Sequence, residues 1–117
     1  MALRCLIVDD NAGFLDAARH LLEGDDITVA GVASTGAEAL RQARALRPDV
    51  ALVDIELGEE SGLDVAEQLA ADRADRRIIL ISTYAEADFA DLVADSPAVG
   101  FVSKSDLSRQ AIRALLR

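Results

Sequence analysis

Short, nearly continuous apolar runs alternate with longer amphipathic segments along the whole chain. The runs are Leu3–Val8, Ile27–Ala33, Val50–Val53, Ile78–Ile81 and Val99–Val102. Their near-continuity suits strands buried on both faces of a parallel sheet. The segments between them carry apolar residues at helical spacing. Phe14, Ala17, Leu21 and Leu22 predict one stripe. Ala37, Leu40, Ala43 and Leu46 predict a second, and Leu63, Ala66, Leu69 and Ala70 a third. Phe89, Leu92 and Val93 give a shorter fourth, and Ile112, Leu115 and Leu116 a fifth. Helix boundaries are marked as well. Thr35-x-x-Glu38 reads as a capping box, Ser61 before Gly62 with Asp64 following is a similar arrangement, and Pro48 stops the second helix. The pattern is strand–helix, five times over. Short connections then imply a parallel sheet covered on both faces, with right-handed crossovers.

That architecture says where to look for chemistry. Ligands of open α/β sheets bind outside the carboxyl ends of the strands. The first predicted strand delivers Asp9 and Asp10 there, and the third delivers Asp54. The fourth delivers Ser82 and Thr83, and the fifth Lys104, whereas the second ends without charge on Ala33, Ser34 and Thr35. Three close carboxylates repel one another and raise one another's pKa. A hard divalent cation with oxygen ligands resolves that repulsion, and Mg²⁺ is the natural choice. A carboxylate is also a nucleophile toward phosphorus, and a Lys with Mg²⁺ neutralises the oxygens of an incoming phosphoryl group. Simple capping competes as an explanation, since Asp10 could cap a helix starting near Ala12, but it accounts for one acid rather than three.

Composition narrows the alternatives. The 117 residues are one domain's worth, with no repeat, linker or low-complexity tract, and a net charge of −9. Nucleic-acid binding by this domain is not expected: Arg73, Arg76 and Arg77 cluster, but Asp72 and Asp75 interleave with them. No apolar run approaches a membrane span, and "MALRCLIV" is no secretory signal, so a cytoplasmic location is expected. The single Cys5 lies in the first apolar run and reads as a buried, inert thiol. His20 reads as a surface residue of the first helix. Asp88, Asp91 and Asp95 share a helical face, either solvated or offered to a basic partner. Neither a GxGxxG nor a GxxxxGK[ST] nucleotide motif is present.

Taken together, "IVDDN", "LVDIEL", "ESGLDVA", "ILIST" and "GFVSKSDL" resemble the response-regulator receiver domain of bacterial two-component signalling, over essentially the whole chain. The resemblance implies a flavodoxin-like (βα)5 three-layer sandwich with strand order 2-1-3-4-5, for which that family is a standard example. It implies Asp54 as the phosphoacceptor and Lys104 as the phosphate-binding lysine. Asp9, Asp10, Asp54 and the backbone carbonyl of Glu56 would hold Mg²⁺. Ser82 would be the switch hydroxyl, and Phe101 the aromatic that turns inward on activation. The implied partners are a histidine kinase or phosphotransfer protein and an effector or output domain. The surface of the fourth helix, fifth strand and fifth helix is implied for output or a homodimer. A phosphorylation-independent binding module and a small aspartyl phosphohydrolase are the competing functions. The chain departs from the family pattern in three respects. Gly58 replaces a proline and gives the loop after Asp54 more backbone freedom. Ser105 follows the lysine in place of proline, which removes the expectation of a cis peptide there. Thr83 and Tyr84 follow the switch hydroxyl where small residues are common, and they stand where, with Glu56, they would screen a phosphoryl group.

Overall fold

A computed structural model describes residues 2–84 and 88–116. The elements in chain order are β1 (Leu3–Val8), α1 (Ala12–Leu22), β2 (Ile27–Ala33), α2 (Gly36–Leu46), β3 (Val50–Asp54), β4 (Glu56–Leu57), β5 (Glu60–Ser61), α3 (Gly62–Asp72), β6 (Arg77–Ser82), α4 (Ala90–Ala94), β7 (Gly100–Ser103) and α5 (Arg109–Leu115). Five strands form one parallel sheet in the order β2-β1-β3-β6-β7, with β4 and β5 set apart as a two-stranded antiparallel hairpin. Counting the five sheet strands alone, the order is 2-1-3-4-5, as expected of a flavodoxin-like sandwich.

Alternate residues of each strand feed two separate cores. Leu6, Val8, Ala51, Val53, Ile78 and Leu80 pack against α2 and α3. Cys5, Ile7, Val50, Leu52, Ile79 and Ile81 pack against α1 and α5. Burial on both faces is why β1, β3 and β6 read as unbroken apolar runs. The edge strand β2 does not share it, since buried and half-buried residues alternate along it. Its pairing with β1 also shifts register between Cys5 and Leu6. An irregularity of one residue flips the side-chain face, which is how Ile27 and Val29 join one core and Ala33 the other. Cys5 is fully buried, and burial pushes its thiol up to about 12. Among the described residues no helix is long and apolar enough to cross a membrane.

The helices form where expected but present different faces. In α1 the buried residues are Leu15, Ala18 and Leu22, while Leu21 is 50% exposed. In α2 they are Gly36, Ala39 and Ala43, with Leu40 only half-buried. In α3, Val65 is buried alongside Ala66 and Leu69. Spacings of three and four are satisfied by more than one set in these Ala- and Leu-rich segments, so periodicity leaves the phase open. Docking on the sheet selects it. α4 has only five residues and no buried one, and Asp88, Asp91 and Asp95 are all exposed.

Thr35 caps α2, while the reciprocal bond of the capping box falls on Ser34, one residue before the cap. Thr35 Oγ1 accepts the Glu38 N–H at 3.1 Å, and Glu38 Oε1 accepts the Ser34 N–H at 3.2 Å. Ser61 accepts the Leu63 N–H. At the C-terminal ends of α2 and α3, arginines cover free carbonyls. Arg4 Nη2 donates to Leu46 O at 2.8 Å, and Arg73 Nη1 to Arg47 O at 3.4 Å. Arg76, with a side chain 1% exposed, donates Nη1 to Leu69 O at 3.0 Å and to Asp72 Oδ2 at 3.1 Å, and Nη2 to Ala43 O at 3.4 Å. This clasp joins two helix ends, through Leu69 O and through Ala43 O, which also accepts the Arg47 N–H at 3.0 Å.

Candidate functional site

Every residue singled out at the strand ends arrives at the carboxyl edge of the sheet. Asp9 follows β1 and is held there by its own N–H, which donates to Ala33 O at 3.0 Å. Its side chain is wholly buried, and Oδ1 accepts the Asn11 N–H at 2.8 Å. Its Oδ2 lies 2.5 Å from Lys104 Nζ as a charge contact, yet no aligned hydrogen bond reaches it. Asp10 is exposed at the mouth. It does not cap α1; Asn11 does, accepting the Phe14 N–H at 3.0 Å. Asn is as good an N-cap as Asp, and its place one residue before the first helical turn is the readable signal.

Asp54 ends β3 and is 6% exposed. Oδ1 accepts the Glu56 N–H at 3.0 Å, and Oδ2 accepts from Lys104 Nζ at 3.0 Å. Carboxylate oxygens of Asp9, Asp10 and Asp54 lie within 4.8 Å of one another. Burial raises the Asp54 pKa, and the nearby Asp9 charge adds to the rise. The Glu56 N–H and Lys104 oppose it without cancelling it. Burial pulls Lys104 down, but its contacts with Asp9 and Asp54 outweigh this and leave its pKa raised. Three acids, Asp9 and Asp54 buried and Asp10 exposed, face one ammonium and carry excess negative charge. Their ligating atoms are all hard oxygens, and the single Lys104 ammonium is shared between Asp9 and Asp54. This set suits a hard divalent cation such as Mg²⁺.

The loop after Asp54 is more ordered than its glycine suggests. Gly58 takes φ +60° in the two-residue turn between β4 and β5, the glycine position of a tight hairpin turn. Leu57 anchors the hairpin in the core, and Glu60 Oε1 accepts the Gly36 N–H at 3.0 Å. Added backbone freedom is therefore used up by a defined turn, which sets Glu56 beside Asp54. Gly62 has a different role. A Cβ there would stand 1.7 Å from the Asp54 carbonyl oxygen, so only glycine lets α3 start against β3.

Ser82 ends β6, is 1% exposed, and its Oγ accepts the Tyr84 N–H at 3.1 Å. Thr83 and Tyr84 stand on the rim, Tyr84 with 56% of its surface exposed. Lys104 enters from the turn after β7, and the Phe14 ring lies beneath its Nζ, 4.4 Å from the centroid. Nothing in the local sequence ties Phe14 to Lys104, because the contact is made only when α1 and β7 dock on the same sheet. The cleft, about 340 Å³, is lined by Asp10, Asp54, Glu56, Ser82 and Lys104 among others. Phe101 lies away from it, turned inward and 9% exposed, in the core that Phe89 and Val93 of the α4 region flank. Among the described residues no peptide bond is cis.

Comparison with known proteins agrees with this geometry. Residues 5–117 match the response regulator receiver domain family. A putative transcriptional regulator of Pseudomonas aeruginosa is 38% identical over 103 residues, 88% of this chain and 50% of that protein. A LuxR-family two-component response regulator from Aurantimonas sp. SI85-9A1 superposes with a TM-score of 0.88 at 26% identity, covering 99% of this chain and 86% of that one. A response regulator from Burkholderia pseudomallei, solved with a phosphorylated aspartic acid, a calcium ion and citrate, gives 0.84 at 29% identity, covering 98% of this chain and 66% of that one. The chain spans about half the length of the curated relatives it matches. A family match along almost the whole chain, on the sheet order that brings three acids and a lysine to one edge, shows that this chain belongs to the response regulator receiver domain family.

Proposed function

We propose that this domain is a phosphoacceptor switch with Asp54 as the accepting group. The observation that carries the reading is the cluster of Asp9, Asp10 and Asp54 oxygens within 4.8 Å, with Lys104 bridging two of them. An Asp54 carboxylate oxygen attacks the phosphorus of a phosphohistidine or an acyl phosphate. A new O–P bond forms, the P–N or P–O bond to the donor breaks, and the leaving imidazole or carboxylate takes the electron pair. Mg²⁺, held by Asp9, Asp10, Asp54 and the Glu56 carbonyl, would neutralise charge on the phosphoryl oxygens. Lys104 pairs with one of those oxygens. Ser82, already accepting from the Tyr84 N–H, keeps its own proton free to donate to another. The phosphorylated aspartate and bound calcium of the Burkholderia pseudomallei relative support the reading.

Phosphorylation then shifts an existing equilibrium between two surfaces, with Ser82 and Phe101 as the moving parts. The output surface is α4, β7 and α5, used for an effector, an output domain or a second copy. The donor is a histidine kinase or phosphotransfer protein. Residues 1–117 act as one receiver unit, placed in the cytoplasm, that neither catalyses turnover of outside substrates nor touches nucleic acid itself. The transcriptional regulators among its relatives make gene control the proposed output of a longer protein containing it. Incubation with Mg²⁺ and acetyl phosphate tests the reading. Wild type gains one phosphoryl group by mass, and Asp54→Asn gains none. Equal labelling of the two, or none in either, refutes it.

A further inference from the structure

We infer that Phe14 is a positioning residue for Lys104, holding its ammonium toward Asp54 while the acids turn to a cation. The inference rests on the phosphoacceptor reading above. Lys104 Nζ has three neighbours: Asp9 Oδ2 at 2.5 Å, Asp54 Oδ2 at 3.0 Å and the Phe14 ring at 4.4 Å. The two carboxylates are contested. A divalent cation drawn to Asp9 and Asp54 competes with the ammonium for the same oxygens, and phosphorylation converts the Asp54 carboxylate into an acyl phosphate, removing the carboxylate charge. The ring is contested by neither event. It carries no proton to lose and ligates no hard cation, and its face attracts an ammonium in both states. It is also fixed in place. Phe14 lies in the first turn of α1, its N–H bonded to Asn11 Oδ1, and it packs against the core shared by α1 and α5. A four-methylene lysine stem has many rotamers, so a stationary partner is what keeps its tip aimed when its ion pairs rearrange.

Simple packing is the competing role, and leucine would fill it equally well. Phe14→Leu therefore separates the two, because it keeps apolar bulk and loses the ring face. Phe14→Tyr and Phe14→Trp keep the face. Phosphorylation by acetyl phosphate at saturating Mg²⁺ is expected to slow roughly two- to five-fold in Phe14→Leu and to recover in Phe14→Tyr or Phe14→Trp. The Mg²⁺ concentration for half-saturation is expected to stay at the wild-type value in all three. Nuclear magnetic resonance gives a readout independent of phosphoryl transfer. The Lys104 ε-methylene protons should show a ring-current upfield shift in wild type, both metal-free and with Mg²⁺ and beryllofluoride, and lose it in Phe14→Leu. Phe14→Met serves in the same comparison if the leucine variant has a lower Tm. Wild-type rates in both aliphatic variants, aromatic variants as slow as leucine, or an upfield shift that vanishes on adding Mg²⁺ and beryllofluoride would each overturn the inference. Failure of wild type itself to accept a phosphoryl group refutes the phosphoacceptor reading instead, and the shift still decides whether Phe14 holds Lys104.

Discussion

The two ends of the sheet carry opposite electrostatic designs. At the carboxyl end, three acids face one ammonium, which Asp9 Oδ2 and Asp54 Oδ2 share. At the amino end, Arg4, Arg44, Arg73 and Arg76 meet Asp72, Asp75 and the last carbonyls of α2 and α3. There the guanidinium groups of this cluster pair with carboxylates and helix-end carbonyls, and Arg76 Nε is left over. One end holds more acid than its lysine balances, while in the arginine cluster bases and acids are interleaved. Excess charge in a largely buried place costs stability unless something outside balances it, so the acid-rich end is where a cation belongs. Acids interleave with the arginines at the amino end in sequence, and in the fold the guanidinium groups are spent on the protein's own carbonyls and carboxylates.

Substitutions can break this contrast from either side. Asp54→Asn is expected to have the largest effect, complete loss of phosphoryl incorporation with the fold intact, read by intact mass and circular dichroism. Asp9→Asn should weaken Mg²⁺ binding by at least about tenfold in titration calorimetry, since a ligand counts for no less than an outer-shell partner. Its metal-free Tm should hold or rise, because one of three repelling charges has gone. A fall in that Tm would make Asp9 structural and erase the difference between the two ends. Arg76→Met should do the reverse. It strips donors from Leu69 O and Ala43 O and leaves Asp72 with Arg44 alone, lowering unfolding stability by about 2–3 kcal/mol in urea melts. Phosphorylation of the folded fraction should remain at the wild-type rate.

The smallest effect is on pH dependence. Hydrogen bonds from Arg44 and then Arg76 hold the Asp72 carboxyl below its ordinary value in the folded state. The unfolded state therefore binds its proton first as pH falls. The stabilisation is full above the unfolded pKa of about 3.9 and is lost as pH drops through the lower folded value. Asp72→Asn should flatten the acid limb of the Tm profile in that window and leave the neutral plateau lower than wild type. An unchanged acid limb would show that the clasp is held by its carbonyl bonds alone.

Much of the site was legible because strand ends are local features. A run of apolar residues that stops on a charged or hydroxyl residue marks both the strand and what it delivers, and this holds for Asp9, Asp54, Ser82 and Lys104. The backbone alternation of β and α then sends all of them to the same edge. Asn11 was legible in principle as an N-cap, although the adjacent Asp10 drew the reading. Phe14 was not, because its partner is ninety positions away in sequence, on the turn after another strand. Arg76 was read as part of a neutralised cluster. Its actual use, covering carbonyls of two helices, depends on how α2 and α3 end side by side.

Local signals in the chain are enough to set the five sheet strands, the five helices and their order, since periodicity, caps and breakers act over a few residues. The sequence by itself also determined which chemical groups stand at the strand ends. Only the tertiary structure decided which face each helix buries, since Leu15, Ala18 and Leu22 compete with an equally periodic set until the sheet is there to dock on. The same holds for the β2 irregularity that splits its residues between two cores, for the hairpin that gives Gly58 a defined φ, and for the ring under Lys104. Each of these depends on contacts between segments far apart in the chain, where neither spacing nor propensity carries information.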